Sequence, residues 1–200
     1  MNTTIDPLPA TQPTDQATPQ AIAVKYAGFW KRLSSQLLDI LIMSPLMIPA
    51  YLFFNNRAYY YVSVIPSLLL GIFYQVYLVK KYGGTPGKKI MKIEIRKLDL
   101  SPVTMKEASL RFSVLFVLSL IQNVGLMIGV FNISDSDLAS LSYVQFALKL
   151  NETAPSFYSY TSTAMAIWVW TEFIVIFFNK KKRAPHDFIA GTVVIESPQT

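Results

Sequence analysis

The chain has 200 residues, 52% of them hydrophobic and 15% charged, with a net charge of +6 and no cysteine. Soluble domains carry about 25% charged residues, and a chain without cysteine has no disulfide, thiol catalysis or thiolate metal site. Four apolar runs stand out: Trp30 to Phe54, Tyr60 to Val79, Leu110 to Phe131 and Phe157 to Phe178. Each reaches the ~20 residues that cross a bilayer core, and a soluble core in so short a chain cannot hide four of them. The expected fold class is an all-α integral membrane protein: four transmembrane helices with a small β-hairpin-like cytoplasmic cap.

Residues 1–24 open with MNTTIDPLPATQPTDQATPQ. This stretch lacks the basic and apolar regions of a signal peptide, and its Thr, Pro, Gln and Asp content predicts a disordered tail. The membrane domain is expected over 25–195, with 196–200 as a short C-terminal tail. Helix one covers about 30–54. Trp30 suits an interface, and Pro45 and Pro49 each remove a backbone donor and should kink the outer half. A short loop, Asn55 to Tyr59, makes helices one and two antiparallel neighbours. Helix two, about 60–79, ends at Lys80-Lys81.

The connection 80–109 begins with a turn punctuated by Gly83, Gly84, Pro86 and Gly87. KIEIR alternates apolar and charged residues, which predicts a strand, and Val103-Thr104 could return as a second one. Thr104, with Glu107 three residues on, predicts the N-cap of helix three, about 110–131. Gly125 and Gly129 form a GxxxG pair, either a close helix contact or a chance coincidence. In the outer segment 132–156, Leu138, Leu141, Val144, Gln145 and Leu148 fall at roughly helical spacing, which predicts a helix on the membrane surface. Asn132-Ile133-Ser134 and Asn151-Glu152-Thr153 are glycosylation sequons, meaningful only in a glycosylating secretory pathway. Helix four covers about 157–178. Beyond it, Asp187 can open a short interfacial helix that Gly191 stops, and TVVI is expected to pair with KIEIR.

Sixteen of the 18 Lys and Arg residues precede helix one or sit in its first turn, lie in 80–111 or follow helix four. The positive-inside rule therefore places both ends and the 80–109 loop in the cytoplasm. The expected partners are the bilayer, its anionic head groups, and a second copy or a membrane partner subunit. Nucleic acid is excluded, because no recognition motif accompanies the charge.

Helix one carries Arg32 and Asp39 on one face, their Cα atoms ~10.5 Å apart along the axis. Side chains lean toward a helix N-terminus, so Arg32 leans away from Asp39 and needs another acid. Asp187, at the same level, is the expected partner, forming a structural or gating clamp; snorkelling to lipid phosphate is the alternative. Asp39 and Glu172 both fall ~9 Å inside the span ends. Two carboxylates at one depth could share a proton or hold a cation. Alternatively each is a hydrogen-bonded acid that holds helices together, with Gln36, Gln75, Gln122 or Asn123 as partners. His186, the only histidine, is expected to be ordinary interfacial polarity. GGTPGKK departs from the phosphate-binding P-loop spacing. No catalytic cluster, metal-ligand spacing or cofactor motif is present, so an enzyme is not expected.

AGFWKRLSSQLLDIL, GGTPGKKIMKIEIRKLDLSPVTMKEASLR and PHDFIAGTVVI, in that order, resemble the RDD family of bacterial membrane proteins. The family is named for one arginine and two aspartates. Arg32 and Asp39 match the arginine and aspartate of its first helix, and Asp187 fits the second aspartate. Gly84, Thr85, Pro86, Gly87 and Lys88 look like the family's usual loop. The resemblance covers about residues 27–195. It implies a multi-pass protein of the bacterial cytoplasmic (inner) membrane linked to transport, since some members are reported as sodium-proton antiporters. The resulting expectation is a small transporter or transporter subunit moving cations or protons, with Asp39 and Glu172 as ion-binding residues. The rival is a membrane accessory protein that docks a partner on its basic face.

Overall fold

The structure is a computed structural model that describes residues 24–197. The expected disordered tail therefore lies outside the described residues except for Val24. Four helical stretches are long and apolar enough to cross a membrane: Phe29–Leu52, Arg57–Ile90, Met105–Asn132 and Ser156–Phe178. Their outward faces stay apolar, as at Leu41, Val62, Ile65, Ile167 and Phe177, which suits lipid rather than water.

The first span is α1 (Phe29–Met43), a tight 3-10 turn over Ser44–Met47, and α2 (Ile48–Leu52). The break falls at Pro45, where the ring removes a donor. The second span joins α3 (Arg57–Ile72) to α4 (Leu78–Tyr82) through a π-turn, Phe73–Tyr77, that the sequence did not announce. Gly83 ends α4 in the left-handed conformation, φ +73°, which glycine adopts without steric cost. The chain then reverses and forms α5 (Pro86–Ile90), which packs back against α1.

Strand β1 (Ile93–Lys97) pairs antiparallel with β2 (Thr192–Glu196), with Ile95 opposite Val194. This is the expected pairing of KIEIR with the C-terminal strand. Tyr26 forms a single bridge to Ile195, and the Ala27 amide donates to the Val194 carbonyl at 2.9 Å. The two ends of the described chain thus meet in the cap. The expected Val103-Thr104 strand is absent, leaving only a single bridge between Arg96 and Pro102. Leu100 has positive φ and Pro102 has no N–H, while Thr104 already caps the next helix through Glu107.

That helix, α6 (Met105–Asn132), is central, touching α3, α8 (Tyr143–Thr153), α9 (Ser156–Ile174) and α10 (Pro185–Ala190). The glycine pair is a close contact. A Cβ at Gly125 would stand 2.9 Å from Tyr158 Cβ, and one at Gly129 would stand 2.7 Å from Leu150 Cδ1. The outer segment differs from expectation. It is two helices, α7 (Asp135–Ser140) and α8, broken at Leu141-Ser142 where Ser142 starts a new cap. The buried face is Leu138, Phe146 and Leu150, whereas Val144 and Leu148 are 68% and 62% exposed.

Candidate functional site

Three carboxylates organise the cap end of the bundle. Asp187, fully buried at the start of α10, has an exposure of 0%. Its Oδ2 accepts from Arg32 Nη1 at 2.8 Å and from the Ala184 amide at 2.9 Å. Its Oδ1 accepts from Arg111 Nη1 and from Thr192 Oγ1. Arg32 spreads its other nitrogens to the Ala27 and Lys182 carbonyls. One carboxylate therefore joins the N-terminal entry to α1, the start of α6, the turn after α9 and the start of β2. Burial pushes the Asp187 carboxyl up, but the guanidiniums of Arg111 and Arg32 outweigh it and hold it well below the usual carboxylate range.

Asp39, 5% exposed, serves α5. Its Oδ1 accepts from Tyr74 Oη at 2.5 Å and from the Gly87 amide at 2.7 Å, and its Oδ2 accepts from Thr85 Oγ1 at 2.5 Å. Lys88 Nζ lies 3.9 Å from Oδ2. The Gly-Thr-Pro-Gly-Lys loop has a residue-by-residue reason. Thr85 supplies a hydroxyl, Pro86 opens the helix, and Gly87 brings its backbone against α1. A Cβ at Gly87 would overlap the Ser35 carbonyl oxygen and stand 2.8 Å from Asp39 Cγ. The free amides of a helix N-terminus favour an anion, and here the anion is a side chain of the same protein.

Glu172, on α9, is less enclosed. Its Oε1 lies 2.7 Å from His186 Nδ1. His186 Nε2 in turn lies 3.7 Å from Asp187 Oδ1. A polar cavity of about 80 Å3 opens beside the pair, with Gln36, Gln75, Lys88 and Arg111 on its walls. A further space of about 40 Å3 shares Gln36, Lys88, Arg111, Glu172 and His186 and extends to Arg32 and Ser35.

A family model described as the RDD family matches residues 26–191. The chain belongs to the RDD family. No curated protein and no solved structure matches it.

In this RDD protein the structure brings Arg32 and Asp187 together and gives Asp39 and Glu172 different partners. Asp39 turns to α5 and the second span, and Glu172 turns to α10, while Lys88 approaches Asp39 and lines the cavity with Glu172. The expected amide partners of Asp39 are replaced by Tyr74, Thr85 and the Gly87 amide. Gln36 and Gln75 face the cavity, while Gln122 donates to Ser162 and Asn123 to the Ser119 carbonyl. Sequence reasoning missed Arg111, counted there only as loop charge, although an arginine opening a span repeats the situation of Arg32. It also set His186 aside, and the structure gives that ring a carboxylate on either side.

Proposed function

We propose that this RDD membrane protein is a small transporter or transporter subunit moving protons or cations through the bacterial cytoplasmic membrane, with Glu172 and His186 as the exchanging pair. The observation that carries the reading is the 2.7 Å contact of these two groups on the wall of an internal polar cavity. Imidazole titrates near pH 6.5 in water, about where cells operate, and a carboxylate beside it can hold the same proton. Ionisable side chains of a membrane bundle that face a cavity mark ion and proton paths. Asp39 and Asp187 are poorly suited to the task. Each is engaged on both oxygens, so a proton or ion added there displaces an anchor. They act as the fixed frame, and the Arg32–Asp187 clamp holds the cap against the first span.

The reading places the cap and both ends of the chain in the cytoplasm, supported by the basic residues clustered on that side. Four helices make a narrow bundle, so the working unit is an oligomer or a complex with a membrane partner.

The test uses proteoliposomes holding a pH-sensitive dye, with sodium or potassium gradients imposed across them. Wild type is expected to exchange protons. Glu172→Gln and His186→Asn are expected to assemble and lose the exchange, whereas Asp39→Asn is expected to lower the yield of assembled protein. An assembled Glu172→Gln protein with wild-type flux sinks the reading. If wild-type vesicles carry no flux with any cation tried, the accessory reading takes its place, supported by the saturated anchors and the basic cap.

A further inference from the structure

A third depression lies on the outside of the cap and shares only Ile95 with the lining of the Glu172 cavity. It has a volume of about 250 Å3 and is lined by residues of several segments: Lys80 and Lys81 at the end of α4, Lys89 of α5, and Glu94 and Arg96 of β1, with Pro102 and Val103 closing it. Its single acid is turned inward. Glu94 is 8% exposed, its Oε1 accepts from Arg96 Nε at 3.0 Å, and its Oε2 lies 4.0 Å from Lys89 Nζ. Lys80 and Lys81 are exposed and Lys89 is half-exposed. The groove therefore presents an excess of cations and no outward carboxylate of its own.

Its location separates it from an ordinary solvated charge run. The groove begins where the apolar second span ends. The ring face of Phe73 stacks on Tyr77 with centroids 5.3 Å apart, and both rings are exposed. Lys81 Nζ sits 5.6 Å from the Tyr77 ring centre and 5.2 Å from that of Tyr82. Tyrosine rings such as those of Tyr77 and Tyr82 settle at the head-group level of a bilayer, and their faces hold the Lys81 ammonium group. The outer face of the second span thus offers an apolar track, Phe73 and Tyr77, that leads directly into a cationic pocket.

We infer that this groove is a binding site for one anionic phospholipid, with the phosphodiester head group among Lys80, Lys81 and Lys89 and an acyl chain along Phe73 and Tyr77. The inference stands apart from the transport reading and needs only that the chain spans a membrane. The head group supplies the anion, and the acyl chain fixes which end of the groove it enters. Arg96 stays with Glu94 and keeps the acid from repelling the phosphate.

The test compares full-length protein in phosphatidylcholine bilayers containing a minor fraction of spin-labelled phosphatidylglycerol. The measurement is the motionally restricted, protein-bound fraction of the label against that of labelled phosphatidylcholine. Wild type is expected to select phosphatidylglycerol. Lys80→Gln/Lys89→Gln, which alters only exposed or half-exposed lysines, is expected to lower the selectivity by about fivefold for each cation removed. Lys180→Gln/Lys181→Gln removes the same charge elsewhere on the basic side and is expected to leave most of it. Equal losses in the two variants would mean diffuse surface charge and overturn the site, as would no loss in the groove variant. Release of the label from wild type by soluble glycerol phosphate would point to a small-anion pocket and overturn the lipid assignment.

Discussion

At the cap end of the bundle, Asp187 and Asp39 each draw distant stretches of chain onto one buried carboxylate. At the opposite end Tyr60, Val130, Ile133, Leu138, Phe146 and Leu150 pack together, with Phe54 and Tyr158 against them. Tyr60 stacks on Phe146 at 5.6 Å, and the ion pair there, Arg57 with Asp135, has its carboxylate in the open. One end is held by directional, low-tolerance contacts and the other by area and shape. The difference teaches where function can sit. Buried charge fixes a geometry to within a hydrogen bond, so the polar cavity and the Glu172–His186 pair stand on the charged end, while the aromatic end packs the helices together.

The strongest way to break this contrast is Asp187→Asn. It leaves the guanidiniums of Arg32 and Arg111 in place with no anion between them. Breaking a buried pair on one side costs about 3–5 kcal/mol, so the variant should show a large drop in melting temperature in detergent and a detached, protease-sensitive cap. Acid sharpens the same point with the wild-type protein. The folded Asp187 carboxyl is held below its ordinary value of 3.8. A group whose folded pKa is depressed contributes stability that is fully present above its unfolded pKa and is lost as pH falls toward the folded one. Thermal stability should therefore decline below about pH 4 from this group, and Asp187→Asn should flatten that part of the profile.

Gly87→Ala probes the Asp39 anchor from its other side. The new methyl meets the Ser35 backbone and the Asp39 carboxylate, neither of which can retreat as a flexible side-chain tip would. Overpacking of this kind costs about 1–3 kcal/mol. Limited proteolysis should show the loop around Lys88 and Lys89 opening before the rest of the protein unfolds, and a wild-type pattern would mean that the Asp39 anchor is not what holds α5.

How much of this was readable beforehand depends on how far apart the partners lie in the chain. The spans were legible because apolar length is a local property, although the π-turn at Phe73–Tyr77 and the split of α7 from α8 were not. Arg32 pointed to Asp187 because its side chain leans away from Asp39 and needs another acid at its own level. Asp39 was legible as a buried acid and not as a cap. Two of its three hydrogen-bond partners come from a loop more than forty residues on, and one of those is a backbone amide that no side-chain pattern reports. The glycine-rich loop departs from the phosphate-binding spacing, yet it does receive an anion, supplied internally by Asp39. His186 was overlooked because the reversal between α9 and α10, which swings it onto Glu172, depends on Asn179 accepting the Arg183 amide and donating to its carbonyl.

The smallest expected effect comes from the far end, where the contrast predicts that charge does little. Asp135 has a side-chain exposure of 92%, and its bond to Arg57 Nη2 is 2.9 Å. Arg57 also donates to the Phe131 and Ile133 carbonyls, so it keeps partners when Asp135 is neutralised. Exposed pairs contribute about 0–1 kcal/mol and are screened by salt. Asp135→Asn should therefore move the melting temperature little at low ionic strength and not at all at high salt, while Asp187→Asn keeps its large effect in both. The cap-end pair is shielded from counter-ions by its burial, so salt should separate the two ends even where the single-condition shifts overlap. A melting shift for Asp135→Asn as large and as salt-resistant as that of Asp187→Asn would mean that both ends are held by charge, and the division of labour argued from the aromatic cluster would fall.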